Sequence, residues 1–482
     1  MRTLLKLFSN SLSNRQEFIL LGTLVLVPNL VVLCCVVWPG FLQADQVYSS
    51  VWLKIGEPNE WHSFLFTLVT FPFFDNAQGL GYYGILYNIL FAATVAWSVV
   101  KLRTLGVLTS KKGCLALTAI FALSPCFLFY TNVLYSSESI FMIVLLPLTI
   151  CIIAVVNSKG AWFQKPSNCI AFVALLYAAF ELRKNAVLMV LLILLLLLLC
   201  YREHWRPIFA TTAILLVAIL TTTGIFKLAN IAPSPTQEMV SIPAQQIARV
   251  YVDDGYIPKE IEERLNQIHI KEDWKENYLP SVADPMKSGL APDAQFIADW
   301  LVLGMHNPGS YTHAYLDLTR SFWLWGDHPS HNKYLNAADF TLSRSWTPEY
   351  VENAFTGKAQ LSNGFYETMG NREPLRDAAV LGWDYLMFNR TVPVVTDVLK
   401  GVFFNVSLPF YLSLAILAVA FWKKRWNLLI ISIPLWSTVL AFLIFAPVAC
   451  YRYSAMLYMI VPLLLLLLIK TVQAQRRTSS DN

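Results

Sequence analysis

The sequence predicts an α-helical, polytopic membrane protein that carries one mainly α domain outside the bilayer. Three observations predict it. Hydrophobic residues fill 56% of the 482 positions and charged residues only 14%, where an ordinary soluble chain carries roughly a quarter charged. Uncharged apolar runs near membrane length recur along both ends of the chain. Basic residues flank those runs in an order that alternation across a membrane explains. The same composition excludes a disordered chain, and a net charge of +5 is too weak and too dispersed to argue for nucleic acid.

The first span is read at 18–38, after Arg2, Lys6 and Arg15. No small-residue cleavage site follows it, so it is expected to be retained and not removed as a signal peptide. Further spans are read at 80–100, 113–131, 139–156, 207–226, 402–422, 427–447 and 453–469. The run 169–200 contains Glu181, Arg183, Lys184 and Asn185 at its middle. A charge at a bilayer centre costs roughly 2.5–3.5 kcal/mol on the insertion scale, so two shorter spans joined by a turn at 181–185 are expected. That gives ten spans, with an eleventh at 63–74, where Pro72 shortens the run. The eight cysteines lie in or beside apolar runs without a CxxC spacing and read as small apolar fillers.

Alternating ten spans gathers Lys101, Arg103, Lys111, Lys112, Lys159, Lys165, Arg202, Arg206, Lys423 to Arg425, Lys470, Arg476 and Arg477 on one side, with both termini. By the positive-inside rule that side is the cytoplasm. The other side receives the loop 39–79, the turn at 181–185, the segment 230–400 and the loop near Ala449–Tyr453. Of the 31 acidic residues, 22 fall in 230–400, and Asp45, Glu57, Glu60, Asp75, Glu138 and Glu181 also map to the outer side. Three units follow: an N-terminal transmembrane unit, 1–229; an outer domain, 230–400; and C-terminal transmembrane helices, 401–482.

Within the outer domain, helices are expected from Ser241, after Pro258, and over 293–306 and 310–325, while 326–373 is rich in turn residues. His328 and His331 flank Pro329-Ser330 beside Asp327. No helix carries that spacing and no fourth ligand is evident, so no metal site is expected. Trp323 and Trp325 read as core or interface anchors, with stacking on a sugar as the alternative. Asn389-Arg390-Thr391 fits the glycosylation acceptor pattern, which also arises often by chance.

The chemistry is sought in the first outer segment. Asp45 follows the first span by a few residues, and Glu57, Glu60, Trp61 and His62 stand just before the next apolar run. Each has an ordinary reading as a helix-end or interface residue; together they are placed to converge at headgroup depth. A sugar on a polyprenyl phosphate has its scissile bond at that depth and a good leaving group. One carboxylate that deprotonates the acceptor hydroxyl then suffices, whereas hydrolysis of unactivated glycosides commonly needs a pair. Arg183, Lys184 and Arg452 are outer-side cations suited to the departing phosphate, although such residues also snorkel to lipid phosphates.

A retained first span ending in an Asp-bearing outer segment, many further spans and an outer domain together resemble the C-type (GT-C) integral membrane glycosyltransferases. Asp45 stands where those enzymes carry a catalytic acid, and Trp61-His62 where some bacterial members carry a Trp/His motif. The stretches Ser241-Ile242-Pro243-Ala244-Gln245-Gln246-Ile247-Ala248-Arg249-Val250, Ala283-Asp284-Pro285-Met286-Lys287 and Tyr451-Arg452-Tyr453 are similar to segments of the same group. The family's usual Asp-Glu pair is Asp45-Gln46 here, which leaves Glu57 and Glu60 both open as the second acid. Size and layout also resemble phage serotype-converting glucosyltransferases that decorate O-antigen.

The resemblance implies a multi-pass enzyme of the bacterial inner membrane. It would transfer a hexose such as glucose, with inversion, from a polyprenyl-phosphate-linked sugar donor to a glycan or lipid-linked acceptor outside the cytoplasm. Asp45 would act as base, with Glu57 or Glu60 beside it; His62, Arg183, Lys184 and Arg452 would face the donor phosphate. Gln245, Gln246 and Arg249 would contact donor or acceptor, or else pack as helix-surface residues. No cofactor is expected, and a donor without a nucleotide gives no strong reason for a divalent metal. Two alternatives stay open: a transporter or flippase of lipid-linked sugars, and a ligase or polymerase of whole glycans.

Overall fold

The computed structural model describes residues 13–42, 44–73, 77–132, 134–327 and 392–480. The chain is an α-helical membrane protein. Four helical segments, Asn14–Val37, Gly79–Thr104, Ser137–Asn157 and Arg202–Leu228, are each long and apolar enough to cross a bilayer. Two bent pairs, Pro393–Phe403 with Leu408–Lys423 and Tyr451–Tyr458 with Val461–Gln473, raise that number to six if each pair is one span. Phe64–Phe73, Pro166–Leu182, Lys184–Cys200 and Ile433–Phe445 are apolar but shorter.

In chain order, α1 (Asn14–Val32) leads through a two-residue strand β1 (Phe41–Leu42) into α2 (Ala44–Lys54), α3 (Phe64–Thr70), α4 (Ala77–Thr104), α5 (Lys111–Leu123) and α6 (Pro125–Asn132). Strand β2 (Leu134–Tyr135) then opens α7 (Ser137–Asn157), followed by α8 (Pro166–Leu182), α9 (Val187–Cys200) and α10 (Trp205–Leu228). The smaller helices α11 (Ser241–Val252), α12 (Lys259–Asn266), α13 (Lys271–Glu276), α14 (Asp284–Lys287), α15 (Ala294–His306) and α16 (Pro308–Trp323) come next. The chain closes on α17 (Pro393–Val398), α18 (Leu408–Lys423), α19 (Trp426–Ile431), α20 (Ile433–Phe445), α21 (Tyr451–Tyr458) and α22 (Val461–Ser480).

Several elements differ from the sequence reading, among them the expected spans 427–447 and 453–469, which are each broken, at Ser432 and at Met459–Ile460. The run 113–131 is not one helix: Ser124 is extended and separates α5 from α6, as the clash of a proline ring with the preceding residue requires. The stretch 39–79, read as a loop, is largely helical. Val47, Tyr48, Val51, Trp52 and Ile55 recur at helical spacing, and Ser63 caps α3 by accepting the Phe66 amide hydrogen. The expected break at 181–185 is present, with Arg183 extended between α8 and a single 3-10 turn. The four helices expected in the outer domain form as α11, α12, α15 and α16. His328, His331 and Asn389-Arg390-Thr391 lie outside the described residues.

One large apolar core joins α1 to α10 with α18 to α22. A second, smaller core lies between α11 and α16, built on fully buried Trp274, whose ring stacks on Tyr251 at 5.7 Å. The two are stitched together: the Ala283 amide donates to the Pro447 carbonyl (2.8 Å), and Ala232 exchanges backbone hydrogen bonds with Pro58 and Glu60. The ends of the apolar bundle differ. At one, Arg103 pairs with Glu17 (2.6 Å), and Lys470 reaches the Val107 carbonyl. At the other, Asp45, Glu138, Arg183 and Arg452 meet.

Candidate functional site

The backbone builds that second end by repeating one device. Strands β1 and β2 pair in parallel, Phe41 against Leu134 and Leu42 against Tyr135, and each runs straight into a helix. Three residues past each matched pair stand Asp45 and Glu138, both in the first helical turn. A helix N-terminus favours a carboxylate there. Arg452 occupies the same turn of α21, where the dipole opposes a cation, and the carboxylates of Asp45 and Glu138 compensate it. Glu181 and Arg183 arrive from the opposite kind of end, the C-terminus of α8.

The contacts are close. Arg452 Nη1 lies 2.7 Å from Asp45 Oδ2, and its Nε lies 3.9 Å from Glu138 Oε1. Arg183 Nη1 donates to the same Glu138 oxygen at 2.6 Å. Both guanidiniums lie near the Tyr453 ring, at 4.9 and 5.2 Å. His62 Nε2 is 3.6 Å from Asp45 Oδ2. Burial pushes the His62 imidazole below its ordinary range, with the Asp45 and Glu138 charges opposing, so it is neutral at pH 7. Lys184 Nζ bridges Glu181 Oε2 (2.8 Å) and Glu60 Oε1 (3.1 Å). Gln46, where the resemblance leads one to look for a second acid, is buried and donates to Thr67 Oγ1 at 2.9 Å, tying α2 to α3.

Beside this cluster opens a cleft of about 130 Å³. Its polar lining includes Glu60, His62, Glu181 and Lys184, and its apolar lining Phe442, Phe445 and Pro447. Glu238 joins the outer domain to it: Oε1 accepts from Trp61 Nε1 (3.1 Å) and Oε2 from Lys287 Nζ (2.5 Å). Burial works against the Lys287 charge, yet Asp284 and Glu238 hold it above the usual lysine range. Among the described residues no three His, Cys, Asp or Glu side chains are grouped so as to hold a metal ion.

Six residues singled out from the sequence therefore come together: Asp45, Glu60, His62, Arg183, Lys184 and Arg452. Glu57 does not; it is exposed and outside the cleft lining. Gln245 donates to the Leu279 carbonyl (2.8 Å) and to that of Val282, inside the outer domain's fold. Gln246 accepts from Trp300 Nε1 (2.8 Å) and donates to the Tyr311 carbonyl (3.2 Å). Arg249 pairs with Asp253 and Asp317 on that domain's surface. Not singled out as site residues were Glu138, Glu181 and Glu238, of which the sequence placed Glu138 and Glu181 on the same side as Asp45 without assigning them a role. A signal for Glu138 exists: Ser136-Ser137-Glu138 opens a long apolar helix, with the Ser136 amide donating to Ser139 Oγ (3.2 Å), and an acid in a first helical turn is favoured.

A family model described as "Family of unknown function (DUF6020)" matches residues 76–482. The chain belongs to that family. No curated protein and no solved structure matches it. In this DUF6020 protein, Glu138, Glu181, Arg183, Lys184 and Arg452 lie within the matched residues, whereas Asp45, Glu60 and His62 precede them.

Proposed function

We propose that this protein is an inverting GT-C-type glycosyltransferase of the bacterial plasma membrane. It takes a hexose from a polyprenyl-phosphate donor and places it on a glycan or lipid-linked acceptor outside the cytoplasm. In this reading the chain crosses ten or eleven times with both termini inside, and the cleft and the outer domain face out. The observation that carries the reading is the pairing of Asp45 with Arg452, which Glu138 links to Arg183, beside a cleft lined by Arg183, Lys184 and apolar groups.

The step is an in-line displacement. The acceptor oxygen forms a bond to the anomeric carbon while the bond from that carbon to the phosphate oxygen breaks. The bonding electrons leave with the polyprenyl phosphate, and the acceptor's proton passes to Asp45. Neutral His62 adds no charge next to the base. Arg452 and Lys184 exchange carboxylate partners for the departing phosphate, so cations that are already ordered stabilise the growing charge. Ionised side chains at helix ends, and not at mid-span, suit this chemistry better than transport, whose ionisable groups cluster near the bilayer midplane.

Mass spectrometry of surface and lipid-linked glycans from cells with and without the chain tests the reading. A mass difference of one hexose that disappears with Asp45→Asn is expected. An Asp45→Asn protein that inserts normally and transfers at the full rate refutes it, as does transport of a lipid-linked sugar without transfer.

A further inference from the structure

One lining residue of the cleft has no part in the displacement just described. Glu181 sits one residue before the end of α8 with its side chain only 4% exposed. That position is doubly unfavourable for a carboxylate: burial removes its water, and the helix C-terminus repels negative charge. Its Oε2 accepts from Lys184 at 2.8 Å, but its Oε1 is buried without a hydrogen-bond partner. Lys184 is divided between Glu181 and Glu60, so two carboxylates share one ammonium. A fold gains nothing from such an arrangement on its own, because a glutamine would sit there at lower cost.

We infer that Glu181, with Glu60, forms a hydroxyl-recognising subsite that binds the sugar ring of a phosphate-linked glycolipid. The inference rests on the proposed function and adds the residue that distinguishes a sugar-loaded lipid from a bare one. A phosphate entering the cleft draws Lys184 away, leaving Glu181 and Glu60 without their shared cation. A bare prenyl phosphate offers no donors to replace it. A sugar offers several, and a hydroxyl pointing at Glu181 satisfies the oxygen that the protein leaves empty. Hydrogen bonds to an ionised acceptor are strong enough to separate the two lipids by about tenfold to a hundredfold in affinity. Phe442, Phe445 and Pro447 give the same cleft an apolar surface for the first isoprenyl units.

The test compares the full-length protein in detergent with Glu181→Gln and Lys184→Met, measuring binding of farnesyl phosphate and of its glucosyl, mannosyl and galactosyl derivatives. Wild type is expected to bind one sugar-loaded lipid at least tenfold more tightly than farnesyl phosphate. Glu181→Gln removes that margin, leaves farnesyl phosphate affinity within twofold, and keeps or raises the melting temperature of the unliganded protein. Lys184→Met weakens both lipids together. If Glu181→Gln weakens both lipids equally, or preserves the margin, the subsite is overturned while the proposed function stands. Equal binding of all four lipids by wild type has the same meaning. Failure of wild type to bind any of them overturns the proposed function, and the subsite with it.

Discussion

The cleft end of the helix bundle and the small core of the outer domain both bury polar groups, but of different kinds. In the small core the buried polar atoms without a hydrogen-bond partner are neutral: Gln245 Oε1, Trp274 Nε1, Tyr251 Oη, Tyr278 Oη and Ser241 Oγ. Some of its ionised pairs, such as Arg249 with Asp253 and Lys275 with Asp254, lie toward the surface, and the charges it buries are bonded: Asp299 to Arg264, and Lys287 to Glu238 and Asp284. At the cleft and directly behind it, the buried atoms without a hydrogen-bond partner belong to ionisable groups: His62 Nε2 and Glu181 Oε1 in the lining, and Arg452 Nε beside it. An unpaired neutral group costs about 1–3 kcal/mol, and a charged one more. The small-core domain therefore pairs the charges it buries, while the cleft leaves Glu181 short of a partner at a cost that stability alone does not repay.

The contrast can be broken by substitution. Asp45→Asn is expected to have the largest effect, a fall in transfer of roughly 10²–10⁴-fold, the usual contribution of a general base. It is read as glycan product per inserted molecule, and full activity would reduce the cleft to one more buried ion pair. Glu138→Gln leaves Arg183 and Arg452 short of their shared carboxylate, so thermal unfolding should show a loss of about 3 kcal/mol, as for a broken buried pair. A neutral outcome would mean that these charges are solvated like surface ones. Gln245→Leu should cost ~2 kcal/mol in the same measurement and leave transfer per folded molecule unchanged. Lost transfer at a constant folded fraction would return Gln245 to the site.

The smallest effect is a pH dependence. Burial lowers the His62 proton affinity in the folded state, so the unfolded chain takes up a proton first as pH falls. Stability is then intact above the unfolded value of about 6.5 and declines below it, by at most ~1.4 kcal/mol per pH unit. The decline levels off below the folded value. Chemical denaturation at pH 7.5 and 5.5 should show it in wild type and not in His62→Gln. An equal slope in both would place the titrating group elsewhere.

Much of this protein is written in short windows of sequence. Hydrophobic density makes it a membrane protein, and Glu181-Leu182-Arg183-Lys184 breaks an apolar run because three charges inside a bilayer are too costly. Pro258 and Pro308 open helices where the proline rules expect them, whereas Ser241 stands in the first turn of α11 without capping it. The helical repeat Val47, Tyr48, Val51, Trp52, Ile55 was equally local, but it was hidden by the polar residues around it. The candidate site was legible as a set of outer-rim residues, and only in part as a constellation. Gln245 and Gln246 looked available on a helix, and the folded domain consumes both.

What no window contains is which polar residues meet. Asp45 and Arg452 are 407 positions apart, and the parallel register that sets Asp45 level with Glu138 joins two strands of two residues each. Periodicity and charge determine which segments enter a membrane and where they end, because those costs are paid residue by residue. Pairing across the bundle is decided by how the apolar helices pack. Only the tertiary structure therefore decides that helix ends far apart in the chain converge on one cleft, and that Glu181 is left there with an oxygen to spare.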